Sequence, residues 1–178
     1  MKNSISKLNK SMKQESLQHL IKSLNLDWVN SDITEEHFPV QSEDNDSPKE
    51  YKVFNFGTVS SENAIAGMEK ESFRPATLRE LLLWAAKNWD RKSWIVALGS
   101  RWLNPGGDAH VPVLSRYDGE CRLYLFWFGR DWSCFYSFLG VRKSEFKPSE
   151  PLHIDSLTLE LGEKKYKVEG EIKLKEIK

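Results

Sequence analysis

Thr77-Leu-Arg-Glu-Leu-Leu-Leu-Trp-Ala-Ala-Lys-Asn-Trp89, followed by Ser93-Trp-Ile-Val-Ala-Leu-Gly99, is where the periodicity of this chain changes. In the first stretch Leu78, Leu81, Leu82, Ala85 and Trp89 recur at helical spacing, and Leu83, Trp84 and Ala86 widen the apolar face, as expected of a helix buried on most sides. Thr77 and Glu80 have the spacing of a capping box, in which hydroxyl and carboxylate satisfy backbone N–H groups left free at a helix start. Pro75 cannot continue a preceding element. From Trp94 to Leu98 the apolar residues are continuous and end at Gly99, which predicts a short buried strand. A helix running directly into β structure gives the fold class, α+β.

Outward from this point, more strands are expected on the C-terminal side. Val111 and Val113 predict one, with Pro112 marking an edge or a bulge. Asp118-Gly119 is a hairpin turn signal. Leu123–Phe128 and Phe135–Val141 predict two further strands, and Leu157, Leu159 and Leu161 followed by Tyr166, Val168 and Ile172 predict a terminal hairpin. On the N-terminal side, Ser60 or Ser61 should cap a short helix with Ala64, Ile65 and Met68 facing inward, and Tyr51–Phe56 reads as a strand. Leu17, Leu20, Ile21 and Leu24 lie on one face of a helix, with Ser11 and Gln14 as its capping pair. Residues 40–50 read as a polar linker. The organisation expected is an N-terminal helix and acidic linker (1–50), an aromatic-rich α+β core (51–143) and a C-terminal β-hairpin (144–178).

Lysine plus arginine and aspartate plus glutamate each count 26, so the chain is neutral and lacks the basic footprint of a nucleic-acid binder. Locally it is uneven: +4 over residues 1–26, −7 over 27–50 and +3 over 84–142. No apolar run approaches the ~18 residues of a membrane helix, and Met1–Gln14 has no apolar core segment of the signal-peptide kind. The expectation is a soluble, cytoplasmic protein without a membrane partner. Two cysteines, Cys121 and Cys134, make no disulfide framework, and both are expected as free thiols, Cys134 in the core by its alternation with Tyr136 and Phe138. The four histidines are too scattered for a metal motif, so no metal and no cofactor is expected.

Six of the seven tryptophans fall between Trp84 and Trp132. In Leu123-Tyr-Leu-Phe-Trp-Phe128 both strand faces are apolar, so either the strand is buried on both sides or one face is a binding surface. Tryptophan, tyrosine and arginine dominate binding hot spots. Tyr117, Arg122, Trp127, Arg130, Asp131, Trp132 and Tyr136 are therefore the candidate ligand-binding residues. A non-enzymatic interaction module follows, with a protein as the leading partner and a small molecule or carbohydrate as another. Two alternatives carry different chemistry: a cysteine–histidine enzyme pairing Cys121 or Cys134 with His110 beside Asp108, and a nucleic-acid-associated protein using the aromatic core and the lysine-rich N-terminus.

Phe73-Arg-Pro-Ala-Thr-Leu-Arg-Glu-Leu-Leu82, Val96-Ala-Leu-Gly-Ser-Arg-Trp102 and Phe138-Leu-Gly-Val-Arg-Lys143 carry a resemblance. They resemble the helix entry, an internal strand and the closing strand of the C-type-lectin-like fold found in formylglycine-generating-enzyme-like domains, and a group of uncharacterised small bacterial proteins shares the same framework. The resemblance spans about residues 60–143 and implies two helices packed on a small antiparallel sheet, with a ligand-contacting segment just before the closing strand, here Tyr117–Tyr136. The metal ligands of the oxygen-using enzymes are missing, so it implies no activity and no catalytic residue.

Overall fold

The computed structural model describes residues 15–45 and 50–143 and the strand backbones 152–161 and 164–172. The sequence around Ser93 changes from helix to strand as its periodicity requires, but the helix is covered on one face only: Leu83 and Ala86, expected to widen its buried face, are exposed. The helix α3 spans Leu78–Asn88, after α1 (Leu17–Ser23) and α2 (Ser61–Lys70). The strands are β1 (Trp28–Val29), β2 (Tyr51–Phe54), β3 (Val59–Ser60), β4 (Phe73–Pro75), β5 (Trp94–Val96), β6 (Trp102–Leu103), β7 (Ala109–Tyr117), β8 (Glu120–Trp127), β9 (Asp131–Trp132), β10 (Tyr136–Arg142), β11 (Leu152–Leu161) and β12 (Lys164–Ile172).

Eight of these strands form one sheet in the order β1-β8-β7-β5-β10-β2, with β4 beside β10 and β6 beside β7. The class is α+β. The sheet is larger than the small antiparallel one expected, and it is mixed. β1 runs parallel to β8 and β5 parallel to β10, pairings between residues distant in sequence that no local pattern encodes. The hairpin β7–β8 is local and legible. Tyr117 pairs with Glu120, and Asp118 (φ 52°) with Gly119 (φ 85°) forms a two-residue turn with two positive φ angles, matching the twist of the flanking strands. Pro112 lies inside the sheet, not at an edge. Its carbonyl accepts from Ala97 N–H at 3.0 Å just after β5 ends at Val96, so its missing amide hydrogen falls where the neighbouring strand has stopped.

Alternation along the strands divides the core in two. On one face Ile95, Leu114, Leu123, Leu139 and Val141 pack with Leu78, Leu81 and Leu82 of α3 and Leu17, Leu20 and Ile21 of α1. Each buried leucine contributes on the order of 1.5–3 kcal/mol of apolar transfer. On the other face Val96, Val111, Val113 and Phe138 pack with Phe54, Phe73 and, from α2, Ala64 and Met68. α1 is N-capped by Ser16 and α2 by Ser60; Ser11 and Gln14, expected as the cap of α1, lie outside the described residues.

The start of α3 is locked by a polar clasp. Glu80 closes the capping box with Thr77 and takes both guanidinium nitrogens of Arg74, at 2.8 and 2.7 Å. Thr77 donates its hydroxyl to Asp44 (2.6 Å), and Ser100 accepts from Leu78 N–H (2.9 Å) while donating to Gln41 (2.8 Å). The buried Arg79 pairs with Glu35 and donates to the Glu15 carbonyl. The acidic stretch expected to be a solvated linker is thus partly pinned: Ser42–Asn45 is a 3-10 turn, and Ile33 and Phe38 are buried. Residues 46–49 lie outside the described residues.

Contacts divide the chain after Lys143. The second unit holds the expected hairpin, β11 antiparallel to β12, with Leu157 opposite Val168, Leu159 opposite Tyr166, and an irregularity between Ile154 and Leu157.

Candidate aromatic and arginine face

The second face of the sheet is only partly covered. Toward β10, β2 and β4 it lies under α2. Toward β8 the rings of Trp94, Tyr124, Phe126 and Tyr136 keep part of their surface in solvent. They form a connected row: Trp28 to Tyr124 at 5.0 Å, Tyr124 to Phe126 at 5.5 Å, Phe126 to Tyr136 at 6.2 Å and Tyr136 to Trp94 at 5.4 Å. Offset and edge-on aromatic pairs of this kind add ~0.5–1.5 kcal/mol each beyond their burial. β8 supplies Tyr124 and Phe126 because its even positions share this face, and the parallel pairing of Trp28 with Arg122 brings β1 alongside.

Arginines are laid on these rings. The Arg130 guanidinium carbon lies 4.8 Å from the Phe126 centroid, 5.1 Å from Trp132 and 5.2 Å from Tyr136. Arg122 donates to the Tyr124 hydroxyl (2.7 Å) and to Glu120, and stands 5.8 Å from the Tyr117 ring. The hydrogen bond to Tyr124, and then that to Glu120, hold its guanidinium protonated beyond even the usual arginine range. Arg101 stands over Phe128 at 3.7 Å. A cation over a ring face gains ~0.5–1 kcal/mol where exposed and more where desolvated. These charges are pre-ordered, so a partner would not bear the entropy of ordering them.

The structure sorts the seven sequence candidates. Arg130, Trp132 and Tyr136 come together, and Arg122 meets Tyr117. Trp132 corrects the expectation of a displayed ring: it is 0 % exposed, and its indole donates to the buried Ser61 hydroxyl at 2.8 Å. Trp127 is 52 % exposed but, by strand alternation, faces away from Phe126. Asp131 and Tyr117 are exposed. Trp28, Trp94, Tyr124 and Phe126 were missed as site residues. Alternation along Leu123–Phe128 carried the signal for Tyr124 and Phe126, whereas Trp28 joins through a nonlocal pairing.

The cysteine–histidine alternative finds no geometric support in Cys121. Cys121 lies opposite Arg116, and His110 is six positions along the same strand (116 − 110), roughly 20 Å away at ~3.4 Å per residue. His110 meets the backbone carbonyl of Asp108 at 3.1 Å, not its carboxylate. Cys134 is exposed, contrary to its expected place in the core, because β10 begins only at Tyr136. Among the described residues no group of three or more histidine, cysteine or acidic side chains is placed to hold a metal ion, and no helix is long and apolar enough to cross a membrane. No family model, curated protein or solved structure matches this chain.

Proposed function

We propose that this chain is a non-enzymatic interaction module whose working face is the aromatic row Trp28–Tyr124–Phe126–Tyr136 with Arg122 and Arg130 laid on it, and whose partner is a protein presenting acidic side chains. One observation carries the reading: Arg130 rests on three rings at once and is only half-buried, a pre-ordered cation on a partly solvated apolar platform. Rings and arginines of this kind are the groups that dominate protein interfaces. An acidic partner follows from charge, since Arg122, Arg130 and Arg101 all stand on ring faces and, among the described residues, only Arg122 of the three pairs with an acidic side chain, Glu120.

The C-type-lectin-like kinship belongs to this proposal as well. It rests on the Phe73–Leu82, Val96–Trp102 and Phe138–Lys143 motifs, and it supports a binding role for the segment ahead of the closing strand. The test is affinity capture with the wild-type chain and an Arg122→Ala/Arg130→Ala double variant at low and physiological salt. The expected result is a set of acidic proteins recovered by the wild type, weakened by salt and lost in the variant, whose unfolding midpoint stays close to wild type. Identical recovery by both chains would overturn the reading.

A further inference from the structure

At the Trp94–Tyr136 end of the row the surface opens into a cleft of about 400 Å³. Small-molecule sites begin at roughly this size. Its walls have two kinds of chemistry. Trp94, Phe135 and Tyr136 supply rings, and Phe135 is 79 % exposed, a large apolar side chain held in solvent at the rim. Lys92, Ser133 and Ser137 supply donors, and among the described residues no aspartate or glutamate lines the cleft.

The nearest acid, Asp90, is already occupied. Its carboxylate accepts from the Ser93 and Lys92 N–H groups at 2.8 Å each and from the Ser93 hydroxyl at 2.7 Å. The backbone bond from Ser93 chiefly holds this carboxyl below its usual range, with Lys92 acting through space. The same three bonds fix the turn that places Lys92 and Ser93 at the cleft. Among the described residues Lys92 forms no ion pair, and the Trp94 indole N–H, the Tyr136 hydroxyl and the Ser133 hydroxyl, on partly exposed residues, are not engaged by another protein group. Donors not engaged within the protein and one cation around π faces complement a flat ring that carries acceptor oxygens and negative charge.

We infer that this cleft is a binding site for a small planar aromatic carboxylate, its ring packed against Trp94, Phe135 and Tyr136 and its carboxylate met by Lys92 and the serine hydroxyls. The cleft shares the Tyr136 ring with the protein-docking face, but its polar groups, Lys92 and Ser133, take no part in that face and Arg122 and Arg130 do not line the cleft, so the two readings can fail separately.

The experiment uses 2-naphthoate and its uncharged counterpart 2-naphthamide as probes with the full chain. Equilibrium dialysis measures affinity, and the indole N–H resonances of the ¹⁵N-labelled protein, with Trp94 assigned through Trp94→Phe, report the place of binding. A probe of this size in an open site should bind with a Kd on the order of 1 mM or tighter. The acid is expected to bind several-fold better than the amide and to shift the Trp94 resonance. Lys92→Met, at an exposed position, should remove that preference by weakening the acid about three- to fivefold, the scale of one partly exposed ion pair. Lys92→Arg should restore it. Absence of binding, equal affinity for acid and amide, a preference that survives in Lys92→Met, or a Trp94 resonance unmoved at saturation would each overturn the proposal. Loss of protein capture in the Arg122/Arg130 variant with naphthoate binding intact separates this site from the docking face.

Discussion

Ser61 and Trp132, far apart in the chain, are joined through one hydroxyl: the Trp132 indole donates to Ser61 Oγ at 2.8 Å, and the same hydroxyl donates to the Phe128 carbonyl at 2.5 Å. Both side chains are fully buried. This fastens the first turn of α2 to the turn that carries Arg130. In Ser61→Ala the buried indole N–H and the carbonyl both lose their partner, a loss of about 1–3 kcal/mol. A lower urea midpoint with an unchanged slope is the expected result, and an unchanged midpoint would show that water replaces the hydroxyl.

Gly99 is required by close approach. A Cβ there would stand 2.6 Å from the Ala76 carbonyl oxygen and 2.7 Å from that of Pro75, both backbone atoms that cannot rotate away. The approach is what lets Gly99 N–H donate to Ala76 O at 2.9 Å. Gly99→Ala should cost about 1–3 kcal/mol or more, as overpacking does, and should lower the thermal midpoint without changing the cleft's preference for acid over amide.

Tyr51 is pushed up to about 12, mainly by burial and then by the negative charge of Glu80, with Arg74 opposing. The unfolded phenol titrates near ~10. Above that pH the unfolded chain gives up its proton before the folded chain does, so stability present below pH ~10 is lost as pH rises toward about 12. Urea midpoints compared just below and well above pH ~10 should fall less in Tyr51→Phe than in the wild type.

The two thiols should separate chemically. Cys121 is buried on β8 and Cys134 is exposed before β10. Iodoacetamide on the native chain should modify Cys134 alone, read by mass spectrometry after digestion, and both thiols should react in urea. Rapid native labelling of Cys121 would mean that β8 opens locally.

Local features were legible and nonlocal ones were not. The capping box of Thr77 and Glu80, the Asp118-Gly119 turn, the stripe of α1 and the Leu78–Leu81–Leu82–Ala85–Trp89 stripe of α3 each depend on residues a few positions apart, and the structure forms them as read, whereas Leu83 and Ala86, read as widening the α3 face, are exposed. The parallel pairings of β1 with β8 and β5 with β10 depend on chain closure and leave no local periodicity. For the same reason aromatic density pointed to the right segment but misjudged single rings. Trp132 and Tyr136 are both aromatic residues beside turns, yet only Trp132 finds a buried hydroxyl partner and disappears into the core.

The belt formed by residues 15–45 also decides where an autonomously folding fragment begins. β1 is hydrogen-bonded to β8, α1 covers the leucines of α3, and Glu35 and Asp44 hold its first turn. A fragment cut to start at Tyr51 would keep every candidate site residue except Trp28. It would nevertheless bare the Leu78–Leu81–Leu82 face and strip Arg79 of the Glu35 carboxylate and Glu15 carbonyl it pairs with, so it should associate or aggregate instead of folding as a smaller monomer.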